Sequence, residues 1–217
     1  MAKHVIVPPA VPKLSLQLDD WQGPADTEVE LERCSVHGVD FSDVKKLEID
    51  GCAVSSAVLT GVAVSKLRCS DAKLTNIEAA GLRSQDGAWL RTVVKNSRMT
   101  GADLGASLFE DCTFEGVKLD EAGMRFATLK RVVFKDCVLR GADFTGANLS
   151  HVTFIKCDLE GTNFDRASCT AVDMRGEKLA EIKGVNGLKH VRVSEEQLIE
   201  LAPLLALELG LDVGEET

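Results

Sequence analysis

Residues 137–164 read CVLRG, ADFTG, ANLSH, VTFIK, CDLEG, TNF, and the third residue of every block is apolar: Leu139, Phe144, Leu149, Phe154, Leu159, Phe164. The series extends outward in both directions at the same spacing. Leu104, Phe109, Phe114, Leu119, Met124, Leu129 and Phe134 precede it, and Cys169, Met174 and Leu179 follow. Two residues before each member stands a small or β-branched residue, from Ala102 and Ser107 through Cys137 and Ala147 to Val172. Glu177 alone breaks this second series.

A period of five is neither the 3.6 of a helix nor the 2 of a strand. Alternate residues of an extended segment share a face, so positions i−2 and i point inward together. Five is odd, and the chain must turn once per block to bring the next pair back inside. Gly101, Gly116, Gly141, Gly146 and Gly161 fall in those turns, where positive φ suits glycine. Asp103, Asp143, Asn148, Asp158, Asn163 and Asp173 sit between the inward pairs, short polar side chains suited to bonding nearby backbone.

Columns twenty residues apart set the number of sides. Leu119, Leu139, Leu159 and Leu179 match, as do Phe114, Phe134 and Phe154. Like side chains stacked one coil apart, about 4.8 Å, form the ladders of a solenoid, and four blocks per coil make it square. The blocks Ala102-Asp103-Leu104 and Ala142-Asp143-Phe144-Thr145-Gly146-Ala147-Asn148-Leu149 resemble the A(D/N)LXX motif of the bacterial pentapeptide-repeat protein family. That resemblance implies an all-β solenoid, a right-handed quadrilateral β-helix.

The same phase reaches upstream through Leu47/Ile49, Cys52/Val54, Ala57/Leu59, Val62/Val64, Leu67/Cys69 and Ala72/Leu74. It weakens at Ile77/Ala79, Leu82/Ser84 and Gly87/Trp89. Within residues 77–98, the stretch GLRSQDGAW reads first as a tolerated irregularity of the coil; the alternative is a loop that bulges out, and it is the best place for a special surface. Before Leu47 the phase shifts to Cys34/Val36 and Val39/Phe41, which predicts an irregular join near Ser42 to Lys46. The expected organisation is an N-terminal capping segment over 1–28, a β-helix over 29–180, and a C-terminal helical cap over 181–217.

In that cap Ser194-Glu195-Glu196-Gln197 reads as a capping box. A helix should run from Glu195 to Leu209 and stop at Gly210, with Pro203 kinking or splitting it. Its apolar residues lie nearly all round, too many for a one-sided surface helix. One face should close the open solenoid end. Leu198, Leu201, Leu204, Leu205 and Leu209 are the candidate dimer interface, and homodimerisation through this helix is also what the resemblance implies. At the other end, His4 to Leu18, with alternating Leu14, Leu16 and Leu18, should lie across the first coil.

Mean hydropathy is near zero and no apolar run approaches a membrane span. Nothing in the first residues reads as a signal peptide, so a cytoplasmic location is expected. Cys34, Cys52, Cys69, Cys112, Cys137, Cys157 and Cys169 all fall at inward positions and form no CxxC, which suits buried thiols in a reducing compartment. His4, His37, His151 and His190 have no metal-ligand spacing, and no nucleophile or phosphate-loop motif occurs. The chain is read as a non-enzyme without metal or cofactor.

Charge shapes the functional reading. The total is −9. Residues 19–50 carry −7 and residues 194–217 another −7, while 51–193, most of the rod, carries +3. Outward Glu110, Glu115, Asp120, Glu160 and Asp165 alternate with Arg125, Lys130, Lys135, Arg140 and Arg175. Basic residues are not interleaved with exposed aromatics, which argues against direct nucleic-acid binding. The leading expectation is a rigid scaffold for an unidentified protein partner. The resemblance implies an alternative, a DNA mimic that binds type II topoisomerase (gyrase), inhibiting it or protecting it from quinolones. That role needs carboxylates spread along the coils.

Overall fold

The structure, a computed structural model, describes residues 7–14, 19–20 and 27–212. A parallel β-solenoid of about 8 turns ends in a single α-helix. Strands Leu108–Glu115, Thr128–Lys135 and Asn148–Ile155 pair in parallel, with Phe114 opposite Phe134 and Phe134 opposite Phe154. Single bridges, such as Lys118 to Val138 and Asp103 to Gly123, carry the same 20-residue offset along the other two sides. Four five-residue sides per coil therefore hold throughout the regular part.

Each side turns two residues after its series member. Gly101, Gly116, Gly141, Gly146 and Gly161 take φ of 64 to 67° there. Residues with side chains stand in the same corner columns, among them His151 (φ 55°) and Phe126 (φ 57°). Left-handed backbone costs such a residue roughly 1–2 kcal/mol, and the pairing above and below each corner imposes it. The polar residues between the inward pairs bond as expected: Asp143 Oδ1 accepts from Thr145 N at 2.9 Å and Asn163 Oδ1 from Asp165 N at 3.0 Å.

Inside the square the like-residue columns are in contact. Phe114, Phe134 and Phe154 stack with centroids 5.1 and 5.2 Å apart, and Phe144 stacks on Phe164 at 5.2 Å. Phe41 is buried with them, and all seven cysteines are buried and free. Toward the N-terminal end the interior holds smaller side chains. It leaves an apolar void of about 30 Å³ among Phe41, Leu47, Trp89 and Met99, room for about one water.

Two irregular stretches resolve differently. The shifted phase near Ser42 is a shortened coil: Val29 pairs with Leu47 and Val36 with Val54, an 18-residue offset against 20 in the next coil. By contrast GLRSQDGAW does not bulge. Arg83 bridges to Ala63 above and Asp103 below, and Trp89 pairs with Cys69 and Phe109. Trp89 is buried, and the same coil carries the small Ala79 and Ser84 where neighbouring coils hold Met99 and Leu104.

The C-terminal end is closed by a 3-10 turn, Val185–Leu188, and helix α1, Glu195–Glu208. A side chain at Gly187 would meet Phe164 O at 1.9 Å, so only glycine lets the turn sit this close. The capping box is present: Ser194 N donates to Gln197 Oε1 and Gln197 N to Ser194 Oγ. Gln197 is buried, and its Nε2 donates to the carbonyls of Met174 and Glu177 at 2.7 and 2.8 Å. Pro203 does not split the helix; it lies exposed on the outer side with Ile199.

Glu177, the break in the small-residue series, sits where the coil ends. Its buried carboxylate accepts from the backbone N–H groups of Lys156 and Cys157 in the preceding coil. At the N-terminal end Asp19–Asp20 pairs with Cys34 and Ser35. Residues 7–14 do not cross the first coil but run lengthwise along one corner. The expected contributions of His4, Leu16 and Leu18 lie outside the described residues.

Candidate interaction surfaces

On the outside of the rod, charges eighteen or twenty residues apart lie on neighbouring coils and pair. Lys130 reaches Glu110 at 2.9 Å, Arg140 reaches Asp158 at 2.6 Å, and Lys66 bonds Glu48. Glu115 is held between Lys135 at 2.6 Å and Lys95 at 2.5 Å, from the coils on either side. Hydrogen bonds from these two lysines hold its carboxyl down to about 2. The mixed charges expected from the sequence are thus matched locally, coil against coil. Of the outward acids singled out, Glu160 and Asp165 lie near Arg140 and Arg166. Arg175 binds its own-coil neighbour Asp173 at 2.7 Å.

One corner column carries a pattern the sequence reading missed. Asp71, Arg91, Asp111, Arg131 and His151 stand in successive coils, all with positive φ. Arg91 forks onto Asp71 (2.8 and 2.7 Å) and Arg131 onto Asp111 (2.6 and 2.8 Å). These guanidinium bonds, foremost, hold both carboxyls below the usual aspartate range. The N-terminal segment lies on this ladder. Val7 N donates to His151 Nδ1 (3.4 Å), Ala10 N to Asp111 Oδ1 (3.0 Å) and Lys13 N to Asp71 Oδ1 (2.9 Å). Strict alternation of charge at a 20-residue spacing was the available signal.

The second surface is the outside of α1. Gln197, Leu201, Leu204 and Leu205 form its inner stripe on the last coil, and Leu201 is only 5% exposed. Of the five candidate dimer residues, Leu201, Leu204 and Leu205 therefore pack within their own chain. Leu198 (52% exposed) and Leu209 face outward. The outward apolar stripe is composed instead of Ile199 (75% exposed), Ala202, Pro203, Ala206, Leu207 (76% exposed) and Leu211, which line one shallow groove. Spacing of three and four residues marked both stripes in the sequence, but spacing alone does not tell inner from outer.

A third feature is Phe126, 59% exposed, lying over the Cα of Gly146 one coil on; a Cβ at Gly146 would meet its ring at 2.6 Å. Arg125 stands 5.9 Å from the ring centroid. Among the described residues no group of metal-ligating side chains comes together, and no helix is long and apolar enough to cross a membrane.

The family model described as a pentapeptide repeat region matches residues 88–164 and 107–183. No curated protein matches the chain. Among solved structures, a trypsin-treated variant of QnrB1, a plasmid-mediated fluoroquinolone resistance protein, is 22% identical, with 85% of this chain and 90% of that one covered and a TM-score of 0.39. A pentapeptide repeat protein from the Arabidopsis thaliana thylakoid lumen is 17% identical over 67% and 77% of the two chains, TM-score 0.34. HetL, involved in heterocyst differentiation regulation in Nostoc sp. strain PCC 7120, is 15% identical over 78% and 90%, TM-score 0.23. At such values neither activity nor partner passes from these proteins to this chain.

Proposed function

Because the chain is a pentapeptide-repeat protein, four-sided and closed by its own helix, we propose that it is a rigid, non-enzymatic scaffold for protein–protein interaction, working as a homodimer joined through α1. The observation that carries this reading is the outer stripe of α1. Ile199, Leu207 and Leu211 stay exposed together along one groove, whereas exposed apolar side chains on the rod, such as Phe126, stand among paired charges. Contiguous exposed apolar surface of this kind marks an interaction site. A two-fold partner presenting the same stripe would cover it. The acidic C-terminal segments, −7 each, would then lie near one another at the centre of the dimer. In this reading the protein works in the cytoplasm, where its seven buried cysteines remain thiols.

Light scattering tests the dimer. The wild type should give twice the chain mass of 23.4 kDa, and Ile199→Glu with Leu207→Glu should give the monomer with the coil intact by circular dichroism. A monomeric wild type overturns it. The alternative, mimicry of DNA toward gyrase, needs carboxylates free along the rod, and Lys–Glu and Arg–Asp pairing across coils works against that. Purified protein should accordingly leave gyrase supercoiling unchanged at micromolar concentration. Inhibition, or relief of quinolone poisoning, would favour mimicry.

A further inference from the structure

The corner ladder and the segment lying on it share a repeat. Contacts fall at residues 7, 10 and 13, every third residue, while their acceptors His151, Asp111 and Asp71 fall every second coil. Three residues of a polyproline II helix advance about 9.3 Å and bring the same side round again. Two coils at the strand spacing advance about 9.6 Å. The two lattices agree within a few tenths of an ångström per contact. Pro8, Pro9 and Pro12 occupy positions between the contacts, where an N–H would find no rung. Of the four N–H groups in residues 7–13, three donate to the ladder. Val11, the fourth non-proline residue, points its side chain into solvent.

The rungs are prepared for this. Each aspartate is already fixed by its arginine fork, so its orientation is set before any segment arrives, and an N–H to a carboxylate is among the stronger hydrogen bonds. Lys13 adds its charge beside Asp71. A binding site for a threefold helix is normally lined with aromatics that grip the prolines. Here an alternating Asp/Arg ladder takes the backbone instead.

We propose that this corner is a receptor for polyproline II segments, occupied at rest by the chain's own residues 7–13 and open to a proline-rich segment of a partner protein with the same frame, x-P-P-x-x-P-K. The cis segment acts as a tethered competitor. Its effective concentration is of millimolar order, so a partner must bind more tightly, or arrive on several such segments, to displace it. The site lies on the flank of the rod, apart from α1, and does not depend on dimerisation.

The test uses a fluorescein-labelled peptide of residues 7–14, VPPAVPKL, with the full-length chain. Ala10→Pro with Lys13→Pro keeps the threefold helix but deletes two of the three donors, so the tethered segment should let go while the ladder stays whole. Anisotropy should show the peptide binding this variant at least tenfold more tightly than wild type. Adding Asp111→Ala should abolish the gain, and a peptide with proline in place of Ala10 should not bind. Hydrogen exchange on the wild type gives a second reading: the amides of Ala10 and Lys13 should be protected, and excess peptide should remove that protection. Equal peptide binding by wild type and variant with the coil intact by circular dichroism, or equal binding of the proline-substituted peptide, overturns the proposal. So does a doubled mass that depends on residues 7–13, which would make the occupant a second copy's segment.

Discussion

Trp89 lies over Phe109 of the next coil with ring centroids 5.8 Å apart and planes 23° from parallel. It begins an aromatic run inside the solenoid, since Phe109 in turn meets Phe114 edge-on at 5.9 Å. Residues 77–98 have the weakest repeat pattern, yet their coil is held by the largest buried ring among the described residues. Trp89→Ala should therefore destabilise the fold by about 3–5 kcal/mol, the usual range for emptying a large buried site. The adjoining void among Phe41, Leu47 and Met99 would widen rather than collapse. Urea denaturation followed by circular dichroism checks this, and a loss under about 1 kcal/mol, the level of an ordinary surface change, would mean that the ring is not structural.

Glu177 ends the coil by supplying two acceptors to the backbone of Lys156 and Cys157. Glu177→Ala leaves the buried Cys157 N–H and the part-buried Lys156 N–H without them. A buried N–H left unpaired costs about 1–3 kcal/mol, so a loss of about 1–3 kcal/mol is expected from Cys157, with a smaller addition from Lys156. Glu177→Gln keeps one acceptor and should fall between the two. If α1 and the last coil open first, hydrogen exchange in the alanine variant will rise at Lys156 and Cys157 before it rises in the Phe134 coil.

Acid should loosen the rod in a defined window. Glu115 is held at about 2 when folded, against an ordinary value of 4.5, by bonds from Lys135 and Lys95. Arg91 and Arg131 act in the same direction on Asp71 and Asp111. A carboxyl lowered in the folded state stabilises fully above its unfolded value and loses that contribution as pH falls toward the folded one. The urea midpoint should accordingly decline from about pH 4.5 toward pH 2. Glu115→Gln should be less stable at neutral pH and show a shallower decline. An unchanged slope in that variant would remove the lysine clamp from the account.

How much of this was legible beforehand follows from what each residue answers to. Phe114, Phe134 and Phe154 answer only to the interior, so their spacing stated the fold, the coil length and their own stacking. Gly141 and Gly161 answer to a backbone angle and were equally plain. Gly87 and Trp89 break the pattern by size, and the sequence alone could not separate a tolerated irregularity, which the coil shows, from a bulging loop. The ladder from Asp71 to Arg131 was present as alternating charge, yet its meaning depends on residues 7–13, more than fifty positions from the nearest rung. Contacts that distant in sequence have no period to betray them. On α1 the spacing fixed two apolar stripes, and only the position of the last coil decided that Leu201 lies inside and Ile199 outside.

The cysteines supply the last prediction. All seven are buried, and for Cys69 burial pushes the thiol well above its usual range; for Cys112 burial pushes it up to about 12. Only the thiolate attacks a disulfide reagent. In the native protein burial denies the reagent access to all seven, although Cys34 and Cys52 in the first two coils lie with their sulfurs 3.3 Å apart. Titration with an aromatic disulfide at about pH 8 should release almost no colour from the folded chain within about an hour, and seven equivalents once it is unfolded in guanidinium. Uptake should then report opening of the coil. It should be faster in Trp89→Ala, where Cys69 and Cys112 flank the emptied site by pairing and by the Cys112 Sγ to Trp89 O contact of 3.3 Å. Rapid labelling of the native wild type would show that the interior of the square is open to solvent, and the closed, four-sided core described above would have to be abandoned.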